Sequence, residues 1–396
     1  WEVDTETYNE TVSKAMRRNR FELLKKYCHC ADNDNLIVND RFAKLTPLLN
    51  LLNERFKKYA QMCKELCVDE SMIPYYGRHG AKQFIRGKPI RYGYKMWCLC
   101  EPLGYLIKML PYTGKDHDRP KEVGLGEHIV MKLVDCLPKN YPFKIYSDRF
   151  FGSISLANRL AEHGIGYTGT IMKNRLQKCP LMDDKEISKL ERGVFDFRTD
   201  ASSNCMIVAW NDNRIVHLIS NCDGMEPVGS ASRWAASEKR KVTIQQPHCI
   251  AQYNKFMGGV DRMDENISDC RISIRSKKWW WPLFIFFIDA STQNAWQYHR
   301  RNNPNSLDYL HFKRKIVQTY LRKYANLPAG GGRPKTSKEI LSRTPEGVRF
   351  DEKDHWLTAA AKQGRCAICK KNTTKLCEKC KVRLHLNCFK SYHTTL

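Results

Sequence analysis

No apolar run in this sequence is long enough to cross a bilayer. The longest, Trp279-Trp280-Trp281-Pro282-Leu283-Phe284-Ile285-Phe286-Phe287-Ile288, is closed by Asp289 well short of a membrane span. The chain does not open like a secretory signal either. Trp1-Glu2-Val3-Asp4 has no basic start and no apolar core, and with no initiating Met the chain is read as a fragment. Internal repeats and long low-complexity segments are lacking. Acidic residues are scarce: 42 Asp and Glu face 67 Lys and Arg, a formal net charge of +25. Such a surplus points to a polyanionic partner. Without a membrane span, nucleic acid stands ahead of an anionic membrane surface. A regular disulfide framework is also missing. Of the 17 cysteines only Cys366, Cys369, Cys377, Cys380 and Cys388 fall at metal-ligand spacing. That pattern suits a reducing compartment and one zinc module.

What is there begins with helices. Val12, Ala15, Met16, Phe21, Leu23 and Leu24 recur at helical spacing, as do Phe42 to Phe56, with Pro47 suited to a first turn. Glu65 to Tyr76 reads as a strand carrying Asp69, followed by strands at Tyr92–Cys100 and Gly104–Tyr112 in an antiparallel meander. A helix over Ile129–Leu137 precedes a strand ending at Asp148. A helix to about His163 and a strand at Gly166–Ile171 follow. This order predicts an α/β core built on a mixed sheet. Residues 173–248 change character, with short strands broken by Asn, Asp and Gly and an exposed basic knot at Lys239-Arg240-Lys241, and read as a β-rich insertion. Helices return near His248, where Gly258-Gly259 either weaken a helix or mark its start, and again over Leu283–Tyr298 and Leu307–Tyr324. Ala329-Gly330-Gly331-Gly332-Arg333-Pro334-Lys335 reads as a flexible linker.

Three carboxylate stretches stand out: Val68-Asp69-Glu70-Ser71-Met72, Tyr146-Ser147-Asp148-Arg149-Phe150-Phe151-Gly152-Ser153 and Gly258-Gly259-Val260-Asp261-Arg262-Met263-Asp264. Each aspartate alone reads as a cap or turn residue. Together, on a first strand, a later strand end and a helix beyond an insertion, they can meet at one end of a sheet. Phosphoryl transfer between nucleic-acid strands needs such a set, because hard divalent ions take oxygen ligands and keep several waters.

These blocks resemble the three active-site blocks of piggyBac-type DNA transposases, and the likeness runs over nearly the whole chain. It implies an α/β fold: an RNase H-like catalytic core in two parts (61–172 and 249–300) around the insertion at 173–248. It further implies a helical dimerisation and DNA-binding region (1–60 and 301–328), a linker (329–354) and a cysteine-rich zinc domain (355–396). Cut-and-paste transposition is implied as well: cutting of 3′ ends by water, a hairpin formed by the freed 3′-OH, and joining at a TTAA target. By block matching, Asp69, Asp148 and Asp261 take the roles of catalytic Mg²⁺ (or Mn²⁺) ligands, and Asp264 is an auxiliary carboxylate. The partner is double-stranded DNA, both terminal repeats and target; a homodimer and a nuclear location are expected.

Arg271-Ile272-Ser273-Ile274-Arg275-Ser276-Lys277-Lys278 before Trp281-Pro282 has the composition of a nucleic-acid groove. Trp281 matches a family Trp that either stacks on a distorted DNA end or packs under the next helix. Lys173 and Arg175 match a segment near target DNA, although Met172 stands where the family has a basic residue.

At the C-terminal end, Cys366-x2-Cys369, Cys377-x2-Cys380, His385-x2-Cys388 and His393 supply seven ligands, with His355 the candidate eighth. A crossed-over pairing is expected, with Cys366, Cys369, His385 and Cys388 on one zinc and Cys377, Cys380, His393 and His355 on the other. The module resembles the family's cysteine-rich end, which recognises terminal DNA; a protein-binding finger of the RING or PHD sort competes with that reading. Two alternatives to an active transposase stay open. One is a domesticated relative that binds DNA without transposing it, the other a zinc-module adaptor for chromatin proteins.

Overall fold

The computed structural model describes residues 1, 4, 6–87, 89–114, 116, 118–236, 238–323, 344 and 346–394. The linker expected at 329–335, and Tyr324 at the end of the expected third helix, lie outside the described residues. Two compact units emerge, Glu22–Tyr320 on one hand and Trp1–Phe21 with Leu321–Leu396 on the other.

The larger unit is a mixed α/β fold. Helix α1 (Glu10–Ala15) falls in the smaller unit, α2 (Arg18–Tyr27) spans the boundary at Glu22, and α3 (Thr46–Tyr59) opens the body of the larger one, with Pro47 in its first turn. Strands β1 (Glu65–Pro74), β2 (Gln83–Phe84), β3 (Tyr92–Cys100) and β4 (Leu106–Pro111) follow, then α4 (Leu125–Val134). Next come β5 (Lys144–Gly152), α5 (Ile154–Glu162), capped by the Ser153 side chain on the Leu156 N–H, and β6 (Gly166–Ile171). A short α6 (Asp184–Ile187) leads to β7 (Phe195–Asp200), β8 (Cys205–Asn211), β9 (Ile215–Ser220), β10 (Gly229–Ala235) and β11 (Arg240–Gln246). Helices α7 (His248–Phe256), α8 (Gly259–Asp269), α9 (Trp281–Asn302) and α10 (Tyr309–Lys323) complete this stretch.

The main sheet runs β2-β3-β1-β5-β6-β9-β8-β7, with β4 also paired to β3. β1 and β5 are parallel, as are β5 and β6, whereas β1–β3 and β6–β9 are antiparallel. The expected insertion is therefore not a separate sheet. β7, β8 and β9 extend the core sheet beyond β6, and among its strands only the hairpin β10–β11 stands apart. The residues of β8 are buried throughout, which favours a place inside a sheet over an independent lobe.

Strand alternation divides β1 between two cores. Cys67 and Ile73 join Leu49, Phe56, Val260, Met263, Ile267, Leu283 and Phe286 on one face. Leu66 and Val68 join Trp97, Ile129, Leu133, Phe151, Leu156 and Leu160 on the other. Segments 22–60 and 301–320, expected in a flanking helical region, thus belong to the same compact unit as the sheet. Leu49 and Phe56 of α3 are buried in its core, each worth about 1.5–3 kcal/mol. α9 is pinned by buried polar groups. Asn294 accepts from the Leu106 N–H at 2.9 Å and donates to the Leu106 carbonyl at 2.8 Å. Among the described residues no helix is long and apolar enough to cross a membrane.

In the smaller unit, α11 (Glu346–Arg349) precedes a three-stranded sheet of β12 (Leu357–Arg365), β13 (Asn372–Cys377) and β14 (Val382–Arg383), then α12 (Leu386–Thr394). Its buried apolar cluster is small and includes three cysteines, Cys366, Cys377 and Cys380, with Leu384 and Tyr392.

Candidate functional site

Asp69 shares the α8 face of β1 with Cys67 and Ser71, and is 9% exposed. Its neighbour strand β5 follows it in parallel only as far as Val68↔Ser147. The β5–β6 register then shifts between Ser147 and Gly152, so Asp148 lies where β5 bulges out of the ladder. The bulge is held from two sides. The Asp148 carboxylate accepts from the Phe150 N–H at 2.9 Å, and Arg175 donates to the carbonyls of Phe150 at 2.8 Å and Gly152 at 3.0 Å.

α8 lies against β1. Gly259 begins it, not weakens it: a Cβ there would stand 2.4 Å from the Glu101 carbonyl oxygen and 2.6 Å from Cys67 Sγ. Gly259→Ala should therefore cost about 1–3 kcal/mol in chemical denaturation. This close approach brings Asp264 onto Ser71, whose hydroxyl donates to its carboxylate at 2.6 Å.

Carboxylate oxygens of Asp69, Glu70 and Asp148 lie within 4.8 Å of one another. Asp261, exposed in the first turn of α8, is not in that group, although its charge is felt nearby. Burial pushes the Tyr253 phenol up to about 12; its hydrogen bond with Thr170 opposes the rise, and the charges of Asp148, Asp69 and Asp261 add to it. Burial likewise raises the Cys67 thiol to about 12 and Cys98 well above its ordinary value, with Asp69 adding to both. The donor atoms that the group of Asp69, Glu70 and Asp148 offers are carboxylate oxygens, a set that would suit Mg²⁺ or Mn²⁺.

The residues expected on DNA divide. Arg271, Arg275, Lys277 and Trp281 line one groove of about 690 Å³ with Ile73, Tyr75 and Ile267. Ile73 lies on the same face of β1 as Asp69 and Ser71, four residues or about 13 Å along the strand from Asp69. Within it, Trp281 is 7% exposed, donates its indole N–H to the Ile274 carbonyl at 2.8 Å and packs on Phe284. Lys278 and Arg175 are engaged within the chain. The Lys278 ammonium donates to the carbonyls of Lys25, Lys26 and Cys28 at 3.0, 3.0 and 2.8 Å, closing the end of α2. Arg175 is committed to the β5 bulge. Lys173 is exposed and paired with Asp183 at 3.4 Å and Asp184 at 3.2 Å. Arg175→Ala should cost about 1.5–3 kcal/mol by urea melting, and Lys173→Ala less than about 0.5 kcal/mol.

In the smaller unit the structure brings all eight expected ligands into two groups. Cys366, Cys369, His385 and Cys388 form one, and His355, Cys377, Cys380 and His393 the other, each with donor atoms within 4.8 Å of one another. Each histidine turns one nitrogen to its group and the other to an orienting partner. His355 Nδ1 faces Cys377 and Cys380 while Nε2 meets Asp351 at 2.9 Å. His385 Nδ1 faces Cys369 and Nε2 meets the Asn372 carbonyl at 3.1 Å. His393 Nδ1 meets the Arg349 carbonyl at 2.8 Å, leaving Nε2 buried with no hydrogen-bond partner. Outer-sphere anchors of this kind fix the tautomer of a zinc-bound imidazole. Burial alone would raise the Cys366 thiol, but backbone N–H groups of Cys369, His385 and Ile368 outweigh it and bring it to about 6, towards the thiolate that zinc takes.

A family profile described as Transposase IS4 matches residues 1–296. The chain is 42% identical over 397 residues to PiggyBac transposable element-derived protein 3 of Homo sapiens, covering 100% of this chain and 66% of that protein. It is 38% identical over 397 residues to PiggyBac transposable element-derived protein 2 of Homo sapiens, covering 99% of this chain and 66% of that protein. The chain thus spans 66% of the length of these relatives, just under two thirds. Among solved structures, a cryo-EM piggyBac transposase synaptic complex with hairpin DNA matches with a TM-score of 0.65 at 21% identity, over 97% of this chain and 82% of that one. At that identity the likeness is one of fold.

Proposed function

Because the chain belongs to the piggyBac-type transposase family, we propose that it is a cut-and-paste DNA transposase with an RNase H-like catalytic body and a zinc-binding C-terminal domain. The observation that carries this reading is the meeting of Asp69 and Asp148 just past the last paired rung of β1 and β5, with α8 packed against β1 through Asp264 and Ser71.

Asp69 and Asp148 are the side chains that would hold a divalent ion; Asp261, outside that group in the free chain, is the further ligand that family membership suggests. When bound, a pair of such ions supplies Lewis acidity to the attacking and leaving oxygens of an in-line displacement. Asp264, tied to Ser71, orients α8 against β1 as the auxiliary carboxylate. Arg271, Arg275 and Lys277 meet phosphates along the groove and set the strand beside the carboxylates. In the reaction proposed from family membership, a water oxygen bonds to phosphorus at the 3′ end of the element as the bridging 3′ oxygen departs. The freed 3′-OH then bonds to a phosphorus of the opposite strand, expelling the 3′ oxygen of the flanking DNA and closing a hairpin; water reopens the hairpin and restores the 3′-OH, which joins a phosphorus of a TTAA target as a 3′ oxygen of the target strand departs. The working unit is a homodimer on double-stranded DNA in the nucleus. The paired cysteine–histidine groups bind two zinc ions and give the C-terminal domain its shape for terminal DNA.

The test uses a labelled duplex carrying the terminal repeat of the element that encodes this chain, flanked by TTAA. With Mn²⁺, a 3′-end nick followed by a snap-back hairpin on a denaturing gel is expected. The printed names of the relatives, transposable element-derived proteins, favour a second reading in which the chain binds DNA without cutting it. Tight, specific binding with no nick at any Mn²⁺ concentration would establish that reading instead.

A further inference from the structure

We propose that Glu70 is a third carboxylate for the divalent ion held by Asp69 and Asp148, a role that rests on reading this pocket as the metal site. Alternation along β1 argues against it at first. Asp69 and Ser71 face α8, whereas Glu70 faces the opposite core, across from Trp97 on β3. Inside an unbroken sheet two successive strand residues do not reach one ion.

The sheet is broken at this point. The β1–β5 ladder ends at Val68↔Ser147, and β5 leaves its register with β6 between Ser147 and Gly152. Through that opening the Glu70 carboxylate comes within 4.8 Å of those of Asp69 and Asp148. Its stem is braced from the far face. Lys95 Nζ stands 3.9 Å from the Glu70 carboxylate, and the same ammonium lies 3.9 Å over the Trp97 ring and 5.0 Å from that of Phe150. The backbone N–H of Glu70 in turn donates to the Asp69 carboxylate at 2.7 Å, so the two residues turn together. Lys95 balances one of three closely spaced negative charges, and a hard divalent cation balances the rest while keeping several waters. Asp261 lies outside this group. In the free protein the ion therefore depends on Glu70 more than on Asp261.

The experiment is Mn²⁺ titration of the whole chain without DNA, read as loss of the free-ion electron paramagnetic resonance signal. Wild type is compared with Glu70→Gln, Glu70→Asp, Asp148→Asn and Asp261→Asn. Glu70→Gln and Asp148→Asn should each weaken Mn²⁺ binding at least about 10-fold, and Asp261→Asn less than about 3-fold. A Glu70→Gln protein that holds Mn²⁺ within about twofold of wild type, while Asp148→Asn loses it, overturns the role of Glu70 and leaves the metal-site reading standing. A wild-type chain that takes up no Mn²⁺ overturns both. Should Glu70→Gln fail to fold, Glu70→Asp asks the same question. It keeps the charge beside Lys95 but withdraws it by one methylene, so weakened binding at an unchanged melting temperature supports the role and unchanged binding overturns it.

Discussion

Asp148→Asn should lower metal-dependent cutting of a transposon end at least about 1,000-fold while leaving duplex affinity within about twofold. A ligand to catalytic ions stabilises developing charge by several kcal/mol, and about 4 kcal/mol corresponds to that factor in rate. The substitution is conservative in shape. An asparagine oxygen still accepts the Phe150 N–H that the Asp148 carboxylate accepts at 2.9 Å, and Arg175 still anchors the bulge through backbone carbonyls. Only the negative charge and its second oxygen are removed, so folding should be spared. Binding should be spared too, because it draws on Arg271, Arg275 and Lys277 along their groove and on the surplus of cations over the whole chain. Single-turnover cleavage of a labelled end checks the first number and a filter or gel-shift titration at fixed salt the second. Cutting within about tenfold of wild type would mean that the β5 bulge has no part in the chemistry.

Cys380→Ser should take the zinc content from two ions per chain to one, and His355→Ala should do the same. Both belong to one group, with Cys377 and His393, while Cys366, Cys369, His385 and Cys388 form the other. A structural zinc contributes on the order of 10–16 kcal/mol of apparent binding free energy at neutral pH. The apolar cluster around Leu384 and Tyr392 is small and counts the ligand cysteines among its members, so it cannot replace that contribution. Removing one ion should unfold the half that it ties, and a chelator should unfold the whole module. Residues 22–320 should stay folded on a core of their own. Affinity for specific ends should collapse, leaving weak binding that falls steeply with salt. Elemental analysis reads the stoichiometry, and amide exchange reads which unit has opened. Retention of two zincs by Cys380→Ser would contradict the pairing.

Much of this arrangement was legible in the residues. Pro47 and Pro282 mark the starts of α3 and α9, where a missing N–H costs nothing. The strand patterns around Asp69 and Asp148 place both on a sheet, although β5 runs on through a bulge to Gly152 where the pattern reads a strand ending at Asp148, and Gly258-Gly259 signal a helix start that must approach another backbone. Spacing among cysteines and histidines foreshadows the two ligand groups. Other features depend on distances that a pattern does not carry. Alternation turns Glu70 away from Asp69, and nothing local announces that β5 leaves the ladder at Asp148. Arg175 and Lys278 read as DNA-facing cations because composition gives their charge but not their acceptors, which are backbone carbonyls of the chain itself. Strand periodicity in β7 to β9 shows that strands exist, not which neighbour they choose, and here they extend the core sheet beyond β6. β10 and β11 escaped because their residues are largely exposed and polar.

The central claim is that acidic side chains from β1 and β5 hold a divalent ion at the point where DNA is cut. A crystal of the chain bound to a terminal-repeat duplex, soaked in Mn²⁺ and measured at the manganese edge, tests it most directly. An anomalous peak shared by Asp69 and Asp148, beside the 3′ end of the element, is the predicted result. Manganese absent from that pocket, or a DNA end lying away from it with no ion between, would contradict the account.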